Sequence, residues 1–233
     1  MDNNGLIYGY YLDGVNKGTP IGWQQLQQPL PDDQSAWLHF DYTHADCQKW
    51  LHTQEQLEPL VIEALLEEET RPRASIMHSG VLVSLRGVNL NSDADAEDMV
   101  AIRLWSDGKH IISTRKRQLL SVGDIATLVA EKQGPETPSE FIALLTERLI
   151  IRMQETIQDT EDKVSEIEEI VLTAESYDLR SQIANIRRQA ISLRRYLAPQ
   201  REAMQQLQNE RITWISTNDR IHLRETNDSL IRY

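Results

Sequence analysis

Along the first half of the chain the apolar residues come in short runs broken by turn residues. Along the second half they recur every three or four positions with few breakers. The short runs Leu6–Leu12 and Ala36–Tyr42 read as strands. Ser75–Leu90 reads as a hairpin turning near His78-Ser79-Gly80, and Met99–Arg115 as a second hairpin whose tight turn is Asp107-Gly108, a pair that accepts positive φ. Helices fit at 43–52, 57–69 and 119–132. Strands and helices so mixed predict an α/β or α+β domain over residues 1–135, with helices packed on a sheet.

From Pro138 onward the spacing becomes helical, and Thr137 or Ser139 can cap the start. Ile150, Ile157, Val164 and Val171 lie seven apart, with Met153, Ile167 and Ala174 on the adjacent line. A second series runs Leu179, Ile186, Leu193, Leu207 and Trp214, beside Ile183, Ala190, Leu197 and Met204. Two such seams predict a long antiparallel helical hairpin over residues 136–215, turning near Ser176–Asp178. Pro199 is expected to interrupt and kink its second arm, because proline lacks the N–H that an inner helical turn uses. A third helix, capped by Thr217 or Asn218, occupies 216–233 and is still running at Tyr233.

Charge sharpens this picture. The formal net charge is −12, which argues against nucleic acid as a partner, since phosphate contacts need a basic surface. From Thr146 to Ser176 there are nine acids and three bases; from Arg180 to Arg201 there are six arginines and no acid. An acidic ribbon containing Glu155, Asp162 and Glu169, and Glu161, Glu168 and Glu175, thus faces or flanks a basic one. Pairing of the two ribbons across the hairpin would fix its register. Left unpaired, Arg180, Arg187, Arg188, Arg194, Arg195 and Arg201 would hold anions. The single cysteine, Cys47, allows no internal disulfide and suits a reducing compartment. The N-terminus shows no signal peptide, and no apolar run approaches the roughly 18–20 residues that cross a bilayer. Any membrane part is expected beyond Tyr233.

Several segments resemble the CorA family of divalent-metal transporters. They are the strand Ala36-Trp37-Leu38-His39-Phe40-Asp41, the Pro-led helix Pro59-Leu60-Val61-Ile62-Glu63 with Arg71-Pro72-Arg73 after it, and the hairpin end Ile111-Ile112-Ser113-Thr114-Arg115. The acidic helix to Leu172, the run Arg194-Arg195-Tyr196-Leu197-Ala198-Pro199-Gln200-Arg201 and the stretch Leu223-Arg224-Glu225-Thr226-Asn227-Asp228 complete the set. The arginine-rich run and the Trp-Leu-His strand look most like the zinc-transporting (ZntB-like) branch. The resemblance implies an α+β fold: an α/β/α layered domain with a mixed sheet, then the long helical hairpin, then the start of a stalk helix. It also implies a funnel-shaped homopentamer on the cytoplasmic face of a bacterial inner membrane, serving Zn2+ and the related ions Cd2+, Ni2+ and Co2+. The family's Gly-Met-Asn signature is absent from these residues.

Magnesium-transporting relatives hold a regulatory metal between subunits with two carboxylates. The resemblance puts one of those positions on Ala64, which cannot ligate a hard cation, and the other near Glu225 and Asp228. That site is therefore expected to be lost or weakened, with Glu63 adjacent to the missing partner. His222, on the same stalk stretch, could form a ring of imidazoles around an oligomer axis. A separate zinc possibility is the window His39, His44, Cys47 and His52, in which His44 and Cys47 could share a helix face. A fivefold-repeated arginine stripe would make the funnel locally positive and suited to chloride or other small anions. Nothing resembles a phosphate-binding glycine loop, a nucleophile elbow or a paired CxxC, so no enzyme activity is expected. A free-standing coiled-coil adaptor is the competing function, and a metalloenzyme using the His39–His52 window is a third.

Overall fold

The structure is a computed structural model that describes residues 4–31, 33–92, 94–95, 97–171, 177–209 and 211–231. The strands are β1 (Leu6–Tyr11), β2 (Ala36–Asp41), β3 (Arg73–Ile76), β4 (Val81–Gly87), β5 (Val100–Ser106) and β6 (His110–Arg115). The helices are α1 (Ala45–His52), α2 (Pro59–Leu66), α3 (Leu120–Ala130), α4 (Pro138–Val171), α5 (Tyr177–Leu207) and α6 (Thr217–Ile231). Each expected strand and helix is present. Two short 3-10 turns, Gly14–Asn16 and Gln25–Gln27, were not legible in the hydrophobic pattern.

The six strands form one mixed sheet in the order β1-β2-β6-β5-β4-β3, with β2 and β6 parallel and the other neighbours antiparallel. Because side chains alternate faces along a strand, each strand feeds two cores. Val81, Val83 and Leu85 of β4, with Ile102 and Leu104 of β5, meet Val122 and Ile125 of α3 and Phe141, Leu145 and Leu149 of α4. On the opposite face Leu82, Trp105 and Ile112 meet Trp50 and Leu51 of α1 and Val61 and Leu65 of α2. The result is the α/β/α layering that the sequence implied. The first turns of α4 belong to the same core as the strands, so this helix is shared between the layered body and the hairpin.

The turn between β5 and β6 is pinned from outside. Gly108 has φ +93°, and a Cβ there would lie 2.5 Å from Trp214 Cγ, so the indole packs directly on backbone. The sequence reading put Trp214 on the hairpin seam. Helix α5 instead stops at Leu207, and the Arg220 guanidinium donates to the carbonyls of Gln208, Asn209 and Ile212 beyond it.

The hairpin departs from the expected seam in three ways. Of the expected turn Ser176–Asp178, Tyr177 and Asp178 are already helical, while Ser176, like Ala174 and Glu175, lies outside the described residues. Helix α5 runs through Pro199 without interruption. The heptad lines also do not close along their whole length. Met153, Leu193 and Met204 are buried together with Leu230 of α6, but Val164, Ile183 and Ala190 are exposed. A groove of about 660 Å³ opens between the arms, lined by Ile157, Val164, Ile186 and Leu197 among others.

Helix α6 starts at Thr217, so its cap falls one residue before the expected Thr217 or Asn218. Ser216 caps it: the Ser216 Oγ accepts from Asp219 N–H at 3.0 Å and donates to Asp219 Oδ2 at 2.6 Å. Thr137 is the residue that caps α4, accepting from Glu140 N–H at 3.2 Å. Ser139 donates to Asp219 Oδ2 and accepts from Ser216 N–H, so it ties the two helix starts together.

Candidate functional site

The stalk stretch presents two faces set by the helical period. Leu223, Thr226, Asn227 and Leu230 are buried against α4 and α5, while Ile221, Arg224, Glu225 and Asp228 are exposed. Glu225 and Asp228, three apart, therefore share an outward line. His222 lies between the faces, half-buried, with Nε2 3.3 Å from Glu147 Oε1 of α4.

Ala64, the position that the resemblance gives to one metal ligand, is an interior residue of its own chain. It is 6% exposed and belongs to the core between α2 and the sheet, with Leu82, Trp105 and Ile112. Its methyl packs in this apolar core and offers no oxygen to a hard cation. Glu63, beside it, is exposed. Within one chain α2 and α6 lie on opposite faces of the sheet, since Leu223 joins the other core. Glu63 and the Glu225–Asp228 line could meet only between copies.

The histidine–cysteine window does not converge. His39 is buried in β2, its Nδ1 2.8 Å from Ser113 Oγ. Burial, with Arg115 adding to it, lowers its pKa to about 3. Cys47 is fully buried in the α1–α2 core, and burial, with Asp41 adding to it, pushes its thiol up to about 12. A thiol so held keeps its proton, whereas zinc takes the thiolate. His44 precedes α1, half-buried, with Nε2 3.9 Å from Asp41 Oδ2, and His52 is exposed. Among the described residues there is no group of three or more His, Cys, Asp or Glu placed to hold a metal ion.

The arginine ribbon is exposed at all six positions: Arg180, Arg187, Arg188, Arg194, Arg195 and Arg201. Among the residues whose side chains are described, none of the six has a carboxylate within ion-pair distance, so the expected pairing with the acidic arm is not formed there. Arg194 and Arg201 instead flank the inter-arm groove, with Glu161 on its other side. Salt bridges between exposed side chains contribute little, and the hairpin is joined by apolar packing nearer the body.

The run Arg194–Arg201 does have a role that spacing alone did not show. Strand β3 ends opposite Ser84, leaving the edge of β4 bare at Arg86. Gln200 of α5 takes the place of the missing strand. Its Oε1 accepts from Arg86 N–H and its Nε2 donates to Arg86 C=O, both at 2.8 Å. Tyr196, one turn earlier, lies under the Arg86 guanidinium, 4.7 Å from ring centroid to Cζ. Helix α5 thus docks on the sheet through Tyr196 and Gln200. The glutamine in the motif was the available signal, because a buried amide presents one donor and one acceptor at the spacing of a peptide edge.

The comparisons with known proteins agree with this architecture. The Pseudomonas aeruginosa protein named divalent cation transporter CmaX is 38% identical over 234 residues, covering 99% of this chain and 70% of its own length. The zinc transport protein ZntB of Yersinia enterocolitica is 34% identical over 226 residues, covering 97% of this chain and 68% of its own length. The structure of full-length CmaX superposes with a TM-score of 0.89 at 36% identity, over 100% of this chain and 72% of that one. The ZntB cytoplasmic domain of Vibrio parahaemolyticus, at 22% identity over 98% of this chain and 88% of that one, shares the fold with a TM-score of 0.83. The class defined is that of divalent-cation transport proteins, not enzymes. The family model described as CorA-like Mg2+ transporter protein matches residues 32–233, and the chain belongs to that family. Among the described residues no helix is long and apolar enough to cross a membrane.

Proposed function

We propose that this chain forms the cytoplasmic funnel wall of a zinc transporter, within a longer polypeptide that supplies the membrane pore. The observation that carries the reading is the outward line Ile221, Arg224, Glu225 and Asp228 on a helix whose other face is buried against both hairpin arms. A helix so anchored can present polar groups to copies of itself around an axis. Assembly as a homopentamer, with 216–233 as the start of the stalk, would repeat Glu225, Asp228 and His222 five times and concentrate divalent cations near the pore entrance. Zn2+ is the cargo favoured by the ZntB relatives, with Cd2+, Ni2+ and Co2+ as ions of related chemistry. Residues 1–135 would form the outer wall and 136–215 the hanging hairpin.

Two finer assignments belong to the same reading. The six arginines of α5 would hold chloride or other small anions along the funnel, because they are exposed and have no described carboxylate in reach. Regulation through a metal shared between α2 and the stalk would be weak, because Ala64 is an interior position and only Glu63 remains nearby.

The test is Zn2+ flux into vesicles containing the whole transporter polypeptide, with mass by light scattering in parallel. Expected results are a fivefold assembly, metal-dependent flux, and flux reduced severalfold by the double change Glu225→Ala, Asp228→Ala. A monomeric transporter, or flux of Mg2+ but none of Zn2+, would overturn the reading. Anomalous scattering from bromide soaks would show or refute halide at the arginine ribbon.

A further inference from the structure

Helix α2 stops at Leu66 before it has covered its face of the sheet. Beyond its end lies a cavity of about 330 Å³, bounded by the sheet residues Arg86 and Arg103, by Tyr42 and by Tyr196 of α5. Arg103 is 1% exposed and Arg86 8% exposed. Both are held only by neutral acceptors. Arg86 donates to Thr70 C=O from Nε and Nη2, at 3.1 and 2.8 Å, and to Met99 C=O from Nη1 at 2.7 Å. Arg103 donates to Glu68 C=O from Nη2 at 2.8 Å, and its Nε has no acceptor. Neither guanidinium has a described carboxylate within ion-pair distance.

A guanidinium offers five N–H groups. For Arg103 one of them is used. The Tyr42 hydroxyl, buried beside it, also lacks a partner, and the Tyr42 ring lies 5.0 Å from the Arg103 Cζ. Burial lowers the Arg103 pKa, and the like charge of Arg86 lowers it further, against the opposing pull of Tyr42 and Glu67. Two buried cations that repel each other and retain unused donors are costly to the fold unless an anion joins them. At the mouth Lys116 pairs with Glu68, and Arg117 pairs with Asp98. The exposed Glu69 is the remaining acid of the rim, so four cations stand against three carboxylates.

We propose that this cavity binds a small, multiply charged oxyanion of the phosphoryl class, gripped between Arg86 and Arg103 with the Tyr42 hydroxyl as an added donor. Planar guanidinium forks match tetrahedral oxyanions with paired hydrogen bonds, which a monatomic halide does not exploit. The position gives the ligand a mechanical consequence. The backbone of Arg86 is clamped by Gln200 and its guanidinium lies over Tyr196, so an anion on Arg86 stiffens the joint between the sheet and α5. Occupancy would thus be transmitted to the hairpin arm, independently of which metal the family member moves.

Thermal unfolding and titration calorimetry at constant ionic strength test the assignment, with inorganic phosphate as the probe and chloride as the control. Phosphate is expected to raise the melting temperature saturably and through Arg103, whereas any smaller effect of chloride, held at the α5 ribbon, is expected to be the same in wild type and Arg103→Gln. Arg103→Gln should weaken phosphate binding at least tenfold, and Tyr42→Phe severalfold. Arg211→Gln, exposed beyond the end of α5 and outside both the cavity and the arginine ribbon, should bind phosphate as the wild type does. The Tyr42→Phe arm decides the matter if Arg103→Gln does not fold, because the hydroxyl has no structural partner to lose. Adenosine monophosphate in a second arm separates the sources. Tighter binding than phosphate, with the same dependence on Tyr42 and Arg103, identifies the phosphoryl group of a metabolite; weaker binding identifies the free ion. Equal stabilisation by chloride, or phosphate binding unchanged in both variants, overturns the proposal.

Discussion

Replacing Gln200 should separate the hairpin from the sheet more effectively than removing any of the ribbon arginines. Gln200 is 1% exposed and makes two 2.8 Å hydrogen bonds to the backbone of Arg86, with Met153 Sδ 3.8 Å from its Nε2. Gln200→Ala leaves a buried N–H and a buried C=O without partners. Each of the two stranded groups costs about 1–3 kcal/mol, so the variant should lose about 2–6 kcal/mol. At roughly 2–4 °C per kcal/mol for a chain of this size, the melting temperature should fall by about 4–24 °C. Gln200→Met refills most of the volume but restores neither hydrogen bond, so it distinguishes polar satisfaction from packing. The assay is urea unfolding followed by tryptophan fluorescence, combined with hydrogen exchange at the Arg86 amide. Met and Ala variants should lose similar stability, and that amide should exchange faster in both. A Met variant within about 0.5 kcal/mol of wild type would refute the argument, because it would make the clamp a filler of space.

Other consequences follow from buried groups. His39 is neutral in the fold, its pKa lowered to about 3, while the unfolded chain takes up a proton near pH 6.5. The stability this residue contributes is therefore present above about pH 6.5 and is lost as pH falls toward 3. The slope is at most about 1.4 kcal/mol per pH unit, so urea unfolding of His39→Gln should show a flatter acid limb than wild type; parallel limbs would contradict this. The Cys47 thiol, raised to about 12, should resist Ellman's reagent near pH 8 in the folded protein and react fully in urea. Rapid labelling of the native chain would show the pocket around it to be open. Asp219→Ala removes the carboxylate that accepts from both Ser139 and Ser216, and should cost about 1.5–3 kcal/mol, with faster amide exchange over the first turn of α6. Unchanged exchange there would mean that apolar packing alone holds the stalk start.

Much of the architecture followed from local physics. The alternation in Val81–Gly87 and Val100–Ser106, the Asp107-Gly108 turn and the unbroken helical spacing after Pro138 are properties of short stretches, and each yields its element without reference to the rest. The Arg–Tyr–Pro–Gln run and the stalk stretch were legible as resemblance, which sufficed for the family. What neighbouring segments do to one another was decided elsewhere. Heptad spacing said that Ile183 and Ala190 could face a partner helix, but the arms stand apart there and leave them exposed. Charge pattern suggested that the α5 arginines would pair with α4, yet no described carboxylate reaches them, since burial and not surface charge sets the position of the arms.

The sequence by itself determined the element types, the layered class, the acidic balance and the family, because those depend on composition and on periods of two and 3.6 residues. The tertiary structure alone decided that Ala64 faces the core, that Cys47 and His39 are sealed from solvent, and that Gln200 stands in for a strand. It also brought Arg86, Arg103 and Tyr42, far apart along the chain, to one cavity beyond the end of α2. Burial and hydrogen-bond partnership are long-range properties: they depend on which face of a strand another element covers, and no window of local sequence contains that information.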